Sequence, residues 1–160
     1  MITKMKIGLA VLVALAVSPA FATGNHAGGH DVMEIGKPGT KAAAKRTVTI
    51  SMKEKADGSM VFEPAVLKVK KGETIRLKFQ NTGETDHEFV MDTPAAIQEH
   101  KTLMQKFPEM EHADPNSIRL AAGGNGQIIW TFAKSGEFGF ACLIPGHYES
   151  GMKGDITVAP

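Results

Sequence analysis

Val66-Leu67-Lys68-Val69-Lys70, the turn pair Lys71-Gly72, and Thr74-Ile75-Arg76-Leu77-Lys78-Phe79 decide the fold class. Apolar and polar side chains alternate on both sides of the turn. A period of two places one set on each face of a strand, so the stretch reads as two half-buried β-strands. The same pattern recurs outward in both directions. Upstream, Thr47-Val48-Thr49-Ile50-Ser51-Met52 alternates hydroxylated and apolar residues, Asp57-Gly58 makes a turn, and Met60 to Phe62 is a short strand ahead of Pro64. Downstream, Asn81-Thr82-Gly83 ends the strand and His87 to Met91 begins the next. Gln127 to Phe132, Phe138 to Cys142 and Asp155 to Val158 complete a meander of short strands with polar turns. Such a series predicts an all-β sandwich or barrel.

One segment breaks the pattern. Thr93 followed by Pro94 is a helix start, with a capping hydroxyl and proline at the first helical position, and Pro108 closes the segment. Ala96, His100, Leu103, Met104 and Phe107 fall on one stripe at helical spacing, which predicts the buried face of a helical insertion. Glu109 to Asn116 reads as irregular, and Leu120 to Gly126 as a glycine-rich turn.

The chemistry concentrates in Cys142-Leu143-Ile144-Pro145-Gly146-His147-Tyr148-Glu149-Ser150-Gly151-Met152. Cys142 is the single cysteine, so no intrachain disulfide can form. An imidazole and a thioether follow it within ten residues, bent back by Pro145-Gly146 and Gly151. A second imidazole, His87, lies far upstream on a predicted strand. Two His, one Cys and a weak axial Met form the ligand set of a blue-copper site, and these donors suit copper better than any hard cation. The expected metal ligands are therefore His87, Cys142, His147 and Met152. Cys142 would serve as thiolate and electron route, the imidazoles as neutral ligands and Met152 as the axial ligand that tunes potential. The bland reading of each residue alone is core packing; their coincidence in one pattern favours copper.

The chain has 160 residues, enough for one domain with a proper core. Residues 1–22 read as a cleaved export signal: Lys4 and Lys6, then an apolar run from Ile7 to Val17, then Ala20-Phe21-Ala22. The expected location is the periplasm, with no membrane anchor after cleavage near Ala22. Losing both lysines takes the formal charge from +1 to about −1, with no basic run to engage nucleic acid. Residues 23–45, rich in Gly, Ala, Lys and His, are expected to form a flexible arm, and residues 46–160 the domain. His26, His30 and Met33 in the arm could make a second, loose copper site, or be incidental to a solvated tail. Met91, His100, Met104, Met110 and His112 could bind extra Cu(I), although packing is the stronger reading there.

Phe62-Glu63-Pro64, Lys71-Gly72-Glu73-Thr74, Asn81-Thr82-Gly83, His87 and the Cys142 to Met152 loop resemble the cupredoxins, the group of plastocyanin, azurin and rusticyanin. The resemblance runs from about Arg46 to Pro160. It implies a Greek-key β-sandwich and one type 1 copper. The loop spacing, the helical insertion and the His-containing arm look most like periplasmic copper-tolerance cupredoxins. One position departs from plastocyanin and azurin: Glu88 stands where asparagine follows the first histidine. If ionised, it would favour Cu(II) and lower the potential.

Two functions share this site. The first is copper binding and tolerance with single-electron chemistry; the second is a soluble shuttle between respiratory or photosynthetic partners. Either would meet a redox or copper-handling protein, and a monomer is expected. An oxidase or nitrite reductase needs further copper centres and more histidines than the scattered four that remain, so no enzyme is expected. A structural zinc site is weaker, because zinc prefers tetrahedral N/S ligation without thioether.

Overall fold

The computed structural model describes residues 33–108 and 114–160. Ten strands run in chain order as β1 (Gly36–Pro38), β2 (Arg46–Glu54), β3 (Met60–Glu63), β4 (Val66–Lys70), β5 (Thr74–Asn81), β6 (His87–Asp92), β7 (Ser117–Leu120), β8 (Asn125–Phe132), β9 (Gly136–Ala141) and β10 (Lys153–Ala159). Helix α1 (Pro94–Lys106) follows β6. They form two five-stranded sheets, β1-β8-β5-β2-β3 and β4-β10-β9-β6-β7, packed as a sandwich. The all-β sandwich with one helical insertion is thus the observed fold.

The two strands of the opening stretch form as expected, but not as a hairpin. β4 pairs in parallel with β10, and β5 pairs in parallel with β2 in the opposite sheet. The Lys71-Gly72 turn carries the chain across the sandwich, so the meander reading of this region gives way to a crossed topology. Alternation is kept because each strand still needs one buried face. Leu67 and Val69 point into the core while Val66, Lys68 and Lys70 face out. Full burial of each such side chain contributes roughly 1.5–3 kcal/mol. Phe62, Phe79, Phe89 and Phe140 meet ring to ring between the sheets at centroid distances of 4.6–5.7 Å.

β6 is different, being buried on both faces from His87 to Met91. Its inner face joins the main core; its outer face, through Val90, is covered by α1 together with Ala141 and Leu143. The helix begins where the sequence predicts, with the Thr93 hydroxyl accepting from the Ala96 N–H at 3.2 Å. Of the expected stripe, however, only Met104 is buried; Ile97 joins it from the adjacent line, and Leu103 and Phe107 are exposed. Turning the helix by about one residue lets Lys101 and Gln98 reach Glu149 and Tyr148 of the ligand loop. Met91 and Met104 are fully buried packing side chains, in line with the stronger reading for them.

The domain starts earlier than Arg46. Met33 bridges to Gly36, Ile35 is fully buried, and β1 pairs with β8, so residues 33–45 belong to the sandwich and not to a flexible arm. Gly36 is required here: at φ +142°, a Cβ would stand 2.0 Å from the Thr131 carbonyl oxygen. The export-signal reading of residues 1–22, His26, His30, Met110 and His112 lie outside the described residues. Among the described residues no helix is long and apolar enough to cross a membrane.

Ile35→Ala should destabilise the metal-free protein by about 2–5 kcal/mol in denaturant unfolding, the cost of truncating a core aliphatic side chain. An effect within about 0.5 kcal/mol would return Ile35 to a tail with no structural part.

Candidate metal centre

His87 opens β6, and Cys142 directly follows β9, its antiparallel neighbour. That pairing, Val90 with Ala141 and Met91 with Phe140, brings two residues distant in sequence to one end of one sheet. The chain then folds into a tight loop. The His147 N–H donates to the Ile144 carbonyl, the Met152 N–H to the His147 carbonyl and the Cys142 N–H to the Met152 carbonyl, each at 3.0 Å. The loop is knotted by its own backbone, which fixes where its side chains point.

The result is a cluster in which the donor atoms of His87, Cys142 and His147 all lie within 4.8 Å of one another. The two Nδ1 atoms are 3.3 Å apart, and Cys142 Sγ lies 3.4 Å from His147 Nδ1. Ligands of a single first-row ion, held at roughly 2.0–2.3 Å, must sit about 3–4 Å from one another. The spacing and the two-nitrogen, one-sulfur chemistry therefore fit one copper ion. Met152, also predicted as a ligand, is fully buried in the same core cluster as Cys142. The fourth predicted residue is thus tied by backbone to Cys142 and His147 and shares a buried cluster with Cys142.

Burial dominates the electrostatics. It pushes the Cys142 thiol up to about 12, with the Glu88 carboxylate adding to that and the Glu88 and Ile144 backbone N–H groups opposing it. The Glu88 N–H donates to Cys142 Sγ at 3.3 Å. Burial also holds both histidines below their ordinary range, against the pull of Glu54 on His87 and reinforced by His87 on His147. Neutral imidazoles keep a lone pair for a metal. A metal-free thiol keeps its proton, so a cation must displace it to bind.

Two residues near the site carry no motif of their own. Asn81 is buried; its amide donates to the carbonyls of Thr85 and Leu120, and its Oδ1 accepts from the Gly83 N–H. It ties the turn before His87 to β7. Glu54, the last residue of β2, places Oε1 at 3.1 Å from His87 Nε2, at ion-pair distance but without the alignment of a hydrogen bond. The Thr85 hydroxyl above all, with the backbone N–H groups of Glu84 and Thr85, holds the Glu54 carboxyl down at about 2 despite partial desolvation. The only signal in the sequence for either was the turn Asn81-Thr82-Gly83. Glu88, flagged as a departure, is buried and opposite Arg119 in the β6–β7 register.

Of the suggested second copper site, only Met33 is described. It is half-buried against the core and lines, with His100, a groove beside α1. His87, Cys142 and His147 are the only group of His, Cys and acidic donors placed to share an ion among the described residues.

The sequence profile of copper-binding proteins of the plastocyanin/azurin family matches residues 48–159. The chain belongs to this family. Its cofactor is type 1 copper, and the His-Cys-His cluster is where such an ion fits. It is 46% identical over 136 residues to the copper-resistant cuproprotein CopI of Rubrivivax gelatinosus, covering 83% of this chain and 80% of that one. It is 32% identical to the CopI of Pseudomonas aeruginosa, covering 78% of this chain and 82% of the relative. Among solved structures it resembles the dithionite-reduced auracyanin of the photosynthetic bacterium Roseiflexus castenholzii. That likeness has a TM-score of 0.61 and 26% identity over 73% of this chain and 99% of the other.

In the metal-free folded protein, Cys142 should resist a thiol-reactive dye at pH 8, because it is buried and protonated, and should react at once on denaturation. Fast labelling of the native protein would contradict the buried, high-pKa thiol.

Proposed function

We propose that the protein is an exported, periplasmic copper-binding protein that confers copper tolerance, in which His87, Cys142 and His147 would hold one type 1 copper with Met152 as a weaker fourth ligand. The observation that carries the assignment is the convergence of both Nδ1 atoms and Cys142 Sγ on one point. Copper held there supplies one-electron chemistry. The chain's own part is to keep the imidazoles neutral, exclude water from the thiolate and hold the donors still between oxidation states. The copper-resistant relatives, similar over most of their length, favour the tolerance reading.

The likeness to auracyanin supports the alternative, a soluble electron shuttle. For either role the loop tip is the exchange point: His147 is half-buried, and the adjoining Pro145 and Gly146 are exposed. A redox or copper-handling partner docking there would meet the imidazole edge directly.

Adding Cu(II) to the mature protein should produce an intense visible thiolate-to-copper band that saturates at one equivalent. Cys142→Ser, which removes the charge-transfer donor and almost no volume, should abolish it while leaving the circular dichroism unchanged. A Cys142→Ser protein that keeps the band would sink the ligand assignment. In cells, deleting the gene should lower the copper concentration that arrests growth, and the wild-type gene, unlike Cys142→Ser, should restore it. Unaltered copper sensitivity together with a respiratory or photosynthetic defect would favour the shuttle. Removing residues 23–32, which leaves Ile35 and β1 in place, should keep the band but lower total copper per chain if His26 and His30 bind metal. Unchanged stoichiometry would mean that they do not.

A further inference from the structure

Glu54 has a place in the metal centre that its sequence position does not suggest. The residue ends β2 on the opposite sheet from His87. Its carboxylate nevertheless takes the backbone N–H of Glu84 on Oε2 at 2.9 Å and that of Thr85 on Oε1 at 3.1 Å, together with the Thr85 hydroxyl. The same Oε1 lies 3.1 Å from His87 Nε2, the ring nitrogen turned away from Cys142 and His147. The main chain has been cut back to let the carboxylate in. A Cβ on Gly83 would stand 2.1 Å from Glu54 Oε2 and 3.0 Å from His87 Nε2, so glycine is the residue that leaves this space open.

A buried imidazole can carry its single proton on either nitrogen, and only the tautomer with Nε2–H leaves Nδ1 free to bind a metal. A carboxylate beside Nε2 selects that tautomer, fixes the ring and makes Nδ1 more electron-rich, as outer partners of metal-bound histidines do. Its negative charge also favours the more highly charged ion of a redox pair.

We propose that Glu54 is a positioning residue of the copper centre: seated against Gly83, it sets the tautomer and orientation of His87 and biases the site toward Cu(II). The inference rests on the ligand assignment proposed above, and its readouts separate the two.

The test uses the full mature chain as wild type, Glu54→Gln and Gly83→Ala. Glu54→Gln removes the charge and keeps an acceptor for the loop N–H groups. Gly83→Ala keeps the charge but displaces the carboxylate, whose flexible end can move. Redox titration of the visible band should show both variants losing Cu(II) affinity relative to Cu(I) by about tenfold, within the range for outer-partner losses. For a one-electron couple this is a rise in potential of about 59 mV. Long-range proton–nitrogen NMR of the metal-free proteins should show His87 as the Nε2–H tautomer in wild type, with that preference weakened in Gly83→Ala. A wild-type band with an unshifted potential in Glu54→Gln would overturn the proposal, as would an Nδ1–H tautomer for His87 in metal-free wild type. Should Gly83→Ala not fold, Glu54→Gln and the wild-type tautomer decide it. A wild type lacking any thiolate band would instead bring down the ligand assignment, and the tautomer would still report on Glu54.

Discussion

Three residue pairs between β6 and β9 hold the centre together. Val90 with Ala141, Met91 with Phe140 and Asp92 with Gly139 form the ladder whose end presents His87 beside Cys142. Slippage of this pairing by one residue would turn every side chain of one strand to the opposite face. The register is fixed because β6 is buried on both faces. Phe89 and Met91 lock into the aromatic core, while Val90 packs against Ile97 and Met104 of α1. The helical insertion is therefore part of the metal site's foundation. It also reaches the ligand loop directly, where Lys101 and Lys153 flank the Tyr148 ring at 4.5 and 4.6 Å from its centroid.

Burial gives the site its chemical character. A thiol pushed up to about 12 and two imidazoles held neutral form a cluster with no net charge before a metal enters. Placing a cation among unionised donors drives out the thiol proton, so binding and deprotonation are one event. Preorganisation is supplied by hydrogen bonds that do not involve the metal: the backbone knot from Cys142 to Met152, the Asn81 amide across the turn before His87, and the Glu54 carboxylate under that turn. Donors held this firmly need not move when the ion changes charge.

Much of this was legible in the sequence where the signal is local and periodic. Alternation identified β2, β4, β5 and β8, and the Thr93-Pro94 cap placed the start of α1 to the residue. The Cys142 to Met152 loop was readable because three donors of matching softness share one short segment. What escaped depends on contacts distant in sequence. β1 is three residues of Gly-Lys-Pro, too short for any period, and Ile35 stands between Glu34 and Gly36 with no alternating run after it; only the edge of β8 gives them a place. The Lys71-Gly72 turn looks the same whether it closes a hairpin or crosses a sandwich. On α1 two adjacent lines were each partly apolar, and the packing chose Ile97 and Met104. Glu54 reads as an ordinary charged strand end until β2 and β5 pair in parallel and bring the Gly83 turn over it.

Copper K-edge X-ray absorption of the protein loaded with one equivalent of Cu(II) tests the centre most directly, because it counts the atoms around the ion without relying on colour or growth. The geometry predicts a first shell of one short sulfur and two imidazole nitrogens, with outer-ring scattering from both histidines. It further predicts that these neighbours persist, little displaced, after reduction to Cu(I). A first shell of nitrogen and oxygen alone, with no short sulfur, would contradict the account, because Cys142 would then be a buried core thiol and the cluster an accident of packing.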